Sequence, residues 1–96
     1  MNVSDDEMLV RVGSSTPVQG LSTTLYRAIF DDHQMPVVRA VGAGAVAQAT
    51  KGIGRASQLV AGRGRSLATT IGFENAPGQE EGQDEISVQI FYLFLR

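Results

Sequence analysis

Lys51 and Arg55 stand one helical turn apart, and Arg63 and Arg65 follow in a glycine-flanked stretch. Cations spaced in this way can meet phosphate. Four or five of them, counting Arg39 upstream, would give nucleic-acid affinity that is modest and salt-sensitive. Gln48 and Gln58 fall on the same helical face and add hydrogen-bonding capacity. The competing reading is a solvated face whose positive charges complement a helix C-terminus. No aromatic residue lies among these cations, which argues against stacking of single-stranded bases on them.

A second feature precedes them. Gly42, Ala43, Gly44, Ala45, Val46 and Ala47 fit the loose G-x-G-x-x-G/A pattern between a strand and a helix. A dinucleotide site also needs an acid about 20 residues later and a larger sheet with a crevice. The next acid is Glu74, 30 residues past Gly44. The glycines are therefore read as a tight strand-to-helix turn. Its backbone N–H groups, at Gly42, Ala43 and Gly44, can still hold a phosphate or another anion.

Catalytic arrangements are not evident. His33 is the one histidine, beside Asp31 and Asp32, with no second histidine to build a metal site. Ser14 and Ser15 have no base paired with them. The carboxylates gather in loops and at the N-terminus, away from any apolar run that could tune them. The sequence thus predicts a protein that binds without catalysing, with no metal and no cofactor.

The elements that must position these residues belong to one small domain. The chain has 96 residues, 43% hydrophobic and 19% charged, an ordinary globular mix. A chain of this length buries only about 60–65% of its unfolded surface. Cysteine is absent, which excludes disulfides and thiolate sites and suits a cytoplasmic location. The start is acidic and no apolar run follows it, so neither a signal peptide nor a membrane span is expected. Net charge is −2, unevenly spread. The five cations between Pro36 and Gly72 have no acid among them, whereas Glu74 to Glu85 holds five acids and no base. A basic middle facing phosphate, with acidic flanks that limit it, is the functional reading of this pattern.

Periodicity supplies the elements. Residues 1–7 read as a disordered acidic start, and 8–96 as the domain. Met8, Val10 and Val12 alternate as a strand ended by Gly13. Thr16 is placed to cap a helix, with Pro17 at its first position and Gln19 as capping-box partner. The apolar stripe of that helix is Val18, Leu21, Leu25, Ala28 and Ile29, with Tyr26 and Phe30 on its flank. Pro36 blocks its continuation. Residues 37–41 form a central parallel strand, and a second helix runs from about Ala45 to Ala61, its core stripe Val46, Ala49, Thr50, Ile53, Ser57 and Val60. Leu67 to Phe73 alternate as a third strand, and Ile86 onward as a fourth. The predicted order is β-α-β-α-β-β, an α/β (two-layer α+β sandwich) fold. Right-handed crossovers put both helices on one face of a mixed four-stranded sheet.

The stretch 37–60, and above all Gly42-Ala43-Gly44-Ala45-Val46-Ala47-Gln48-Ala49, resembles the stage V sporulation protein S family. Weaker similarity runs from Val10 to Pro17 and from Glu85 to Arg96. The resemblance implies an Alba-like fold and, because Alba proteins bind nucleic acid as dimers, a nucleic-acid-binding or regulatory homo-oligomer acting on DNA or RNA. Two features depart from Alba proteins. The loop before the last strand carries Glu74, Glu80, Glu81, Asp84 and Glu85, and Ser14, Ser15 and Thr16 replace lysines at the first helix entry. A protein-interaction scaffold that touches no nucleic acid is the alternative function.

Self-association is expected from the C-terminal strand. Its alternation fails at Phe91, Tyr92, Leu93, Phe94 and Leu95, which are apolar on both faces of a sheet expected to have one bare side. Phe91, Tyr92 and Phe94 are therefore candidate interface residues. A strip of the second helix, Ala45, Gly52, Ala56 and Leu59, is another candidate. Its small residues would admit a second backbone, or else seat the first helix of the same chain.

Overall fold

The structure, a computed structural model, describes residues 6–76 and 86–96. Its elements are β1 (Glu7–Val12), α1 (Val18–Phe30), β2 (Met35–Val41), α2 (Ala43–Ala61), β3 (Leu67–Ala76) and β4 (Ile86–Leu95), in the order the patterning predicts. They make one four-stranded sheet in the spatial order β1-β2-β4-β3. β1 and β2 are parallel, and β4 runs antiparallel to both of its neighbours. No helix among the described residues is long and apolar enough to cross a membrane.

Register assigns the faces. Val38, Ala40, Phe91 and Leu93 join Val12 and the helix residues Leu21, Leu25, Ala45, Ala49 and Ala56 in the main core. Side chains alternate along a strand, so Val37, Arg39, Val88, Ile90 and Tyr92 lie on the other face. There Val37, Val88 and Ile90 form a second buried cluster with Tyr92 packed against it, so this face is not the bare surface expected. β2 and β4 are the two central strands. The failed alternation at 91–95 thus has two parts: Phe91 and Leu93 are buried under the helices, while on the other face Tyr92 packs on the second cluster and Phe94 stays exposed. Phe91, 3% exposed, is a core residue and not an interface residue.

The β1–α1 connection also differs from its expected form. Pro17, not Thr16, is the N-cap, and no side chain caps α1. The Thr16 hydroxyl oxygen accepts a hydrogen bond from the Gly13 N–H at 2.8 Å. It closes the turn that leads into the helix, so it is not available to cap it. Strand β1 begins at Glu7, one residue before the alternation predicts, and the Asp6 carbonyl accepts from Met35 N–H at 2.9 Å. The rest of the expected disordered start lies outside the described residues.

Helix α2 starts at Ala43, and Gly42 alone makes the turn, with φ at 89°, a value that favours glycine. Gly44 sits inside the first helical turn. A Cβ there would lie 2.9 Å from Ser14 Cβ, so glycine lets α2 pass close to the β1–α1 loop. The buried stripe of α2 is Ala45, Ala49, Gly52, Ala56 and Val60. It is rotated toward α1 from the expected stripe, and Thr50 is exposed. A Cβ on Gly52 would run into the Leu21 side chain. Gly52 and Ala56 thus seat α1 of the same chain and are withdrawn as surface for a second one.

Candidate nucleic-acid interface

The buried side of α2 faces α1 and the sheet, which turns Lys51 and Arg55 outward, and both are exposed. From Lys51 to the Arg63 that follows the helix is roughly 18 Å at 1.5 Å per residue. Arg63 is exposed and well placed. Its guanidinium lies 4.2 Å from the centroid of the Phe30 ring, and Nη1 donates to the Tyr26 hydroxyl at 3.2 Å. The two rings are 5.0 Å apart and tilted at 49°. Such a cation–π contact is worth about 0.5–1 kcal/mol at an exposed site; here it fixes where the charge stands. Tyr26 and Phe30, read from the sequence as the flank of a core stripe, are half-buried and hold this arginine. Arg65, also exposed, donates from Nε to the Arg96 carbonyl at 3.2 Å.

Arg63 packs on the last turn of α1, and Arg27 is the exposed basic residue of that turn. The parallel helices therefore bring Arg27 to the basic end of α2. Sequence reasoning confined to residues 36–72 missed it. The signal was present, because two β-α-β crossovers on one face make the helices parallel and bring their C-termini to the same end.

Two expected members stand apart. Gln48 is half-buried, and its Nε2 donates to the Thr16 carbonyl at 2.8 Å. This bond ties α2 to the entry of α1 and engages one of the two N–H donors of the Gln48 amide. Arg39 is on the sheet face away from the helices, beside its in-register neighbour Arg11. It does not belong with Lys51 and Arg55, because the odd-numbered positions of β2 point away from α2.

The Gly42–Gly44 turn lies at the other end of α2. The first turn of a helix leaves backbone N–H groups without intrahelical partners. Here no side chain caps them and no acid lies among them. The Gly42 N–H itself donates to the Ser87 carbonyl at 3.2 Å. Beside the turn opens a cleft of about 560 Å³ lined by Gly42, Ala43, Val46, Phe73 and Gln89 among others. Phe73, absent from the sequence-based candidates, is 68% exposed there.

Of the remaining interface candidates, Phe94 is 48% and Leu59 45% exposed, while Tyr92 is half-buried. Glu74 is exposed near the end of β3; Glu80, Glu81, Asp84 and Glu85 lie outside the described residues. His33 is exposed and adopts φ 53° where the chain leaves α1, a conformation histidine takes more readily than most residues.

The family model for Stage V sporulation protein S (SpoVS) matches residues 8–92. Comparison with curated proteins finds no match.

Proposed function

The chain belongs to the stage V sporulation protein S family, and from that premise we propose that it is a non-enzymatic, homo-oligomeric nucleic-acid-binding protein with a regulatory role in the cytoplasm. Phosphate contacts come from Lys51, Arg55, Arg63 and Arg65, with Arg27 beside them. The observation that carries this reading is the outward, acid-free face of α2, which continues into an arginine held in place by two aromatic rings. Cations held in this way release condensed counterions when they meet a phosphate backbone. They are point contacts to the backbone, so the reading implies little base preference. The first-turn amides of α2 offer a further place for a phosphate oxygen.

The protein-interaction scaffold is the second reading. It is favoured by exposed Glu74 and by the acidic run that continues to Glu85, charges that repel a phosphate backbone. A shift assay at about 50 mM salt, where phosphate contacts are strong, separates the two. Duplex DNA, single-stranded DNA and RNA are each titrated with the full chain. Retardation of at least one is expected. No retardation of any of them leaves the scaffold reading in its place.

A further inference from the structure

We propose that β3 is a self-pairing edge, joining antiparallel to β3 of a second copy of this chain around a two-fold axis at Thr70. This deepens the homo-oligomeric part of the proposed function by naming the contact, and it places that contact away from the residues first expected to form it.

The argument starts from the sheet order. Among the described residues, β3 is an edge strand ten residues long, paired with β4 alone. Ser66 and Arg96 exchange both backbone hydrogen bonds, at 2.9 and 2.7 Å. In an antiparallel ladder such pairs alternate with non-bonded ones. The N–H and C=O groups of Leu67, Thr69, Ile71, Phe73 and Asn75 therefore point away from β4, along the free edge. Native proteins usually blunt an edge of this length with lysine, proline or a bulge. From Leu67 to Phe73 this strand has no charge and no proline. It instead exposes Ile71 at 54% and Phe73 at 68%, both on the helix side of the sheet, with Phe73 lining the open cleft beside α2.

The charges at its ends select the partner and the direction. Arg65 precedes the strand and Glu74 stands near its end. A parallel copy would set like charges together at both ends. An antiparallel copy sets Arg65 against the Glu74–Asn75 end of the second copy. The two-fold at Thr70 then places Thr69 opposite Ile71 and Leu67 opposite Phe73 of the second copy. These are all residues whose backbone groups are directed outward, so the ladder continues from one sheet into the next. Thr70 meets its own counterpart as a non-hydrogen-bonded pair, the closer kind.

The chain contains no cysteine, so single-cysteine variants report this geometry cleanly. Thr70→Cys under mild oxidation is expected to run as a disulfide-linked dimer at twice the 10.2 kDa chain mass. Gln58→Cys, exposed on α2, is expected to stay single. Ile71→Lys is expected to halve the mass measured by light scattering while leaving the circular dichroism of the wild type intact. A dimeric wild type whose Thr70→Cys form does not cross-link, or whose mass survives Ile71→Lys, would overturn the β3 contact and leave the homo-oligomeric reading standing. A wild type that scatters as a 10.2 kDa monomer at micromolar concentration would overturn both. Neither outcome bears on phosphate binding, which the shift assay reads separately.

Discussion

Phe91→Ala is expected to destabilise the fold by about 3–5 kcal/mol, the usual cost of emptying a buried phenylalanine site. The ring is 3% exposed and packs in the main core with Leu25, Val38 and Ala56. A domain of this size holds only about 5–15 kcal/mol in all, so the loss removes a large share of its stability. Melting followed by circular dichroism should fall by roughly 4–8 °C per kcal/mol. Phe94→Ala is the control. Phe94 is on the opposite face of the same strand and 48% exposed, so its truncation should cost a small fraction of that. Equal costs at the two positions would mean that the register of β4 is wrong.

The second large effect concerns binding. Changing Lys51, Arg55, Arg63 and Arg65 together to glutamine is expected to weaken nucleic-acid binding at about 50 mM salt on the order of 10²-fold or more, because the sequence-independent term depends on these charges. The fold should persist, since all four are exposed and only Arg63 stacks on aromatic rings, a contact worth about 0.5–1 kcal/mol. Arg11→Gln with Arg39→Gln changes as many as two charges on the opposite face of the sheet and should leave binding close to that of the wild type. If the opposite-face pair carries the loss instead, the interface is on the sheet and not on α2.

The order of elements, the placement of both helices on one face, and the pairing of Lys51 with Arg55 were legible in the sequence because each follows from local periodicity. What was not legible depends on how strands are ordered in space. Alternation along Ile86–Leu95 shows that both faces are apolar at its end, but not that β4 sits between β2 and β3. Register with β2 sets Phe91 beside Val38 on the face that the helices cover, and this turns it from a candidate interface residue into core. Arg39 was misplaced for a related reason: its side of the sheet is set by register with β1 and β4, which spacing within β2 does not contain. The small residues of α2 allowed two readings, and the approach of Leu21 to Gly52 decides for the contact within the chain. Thr16 matched a capping pattern, yet its hydroxyl is engaged by Gly13, a competition between turn and cap that residue types alone do not resolve.

The most direct measurement is the salt dependence of duplex DNA binding by the full chain, read as the slope of log affinity against log salt. Four phosphate contacts predict a slope of roughly −3.6 for each chain engaged, at about −0.9 per contact, and a much shallower slope for the four-glutamine variant. A flat slope for the wild type, or a steep one that the variant retains, would contradict the assignment of phosphate binding to the outer face of α2.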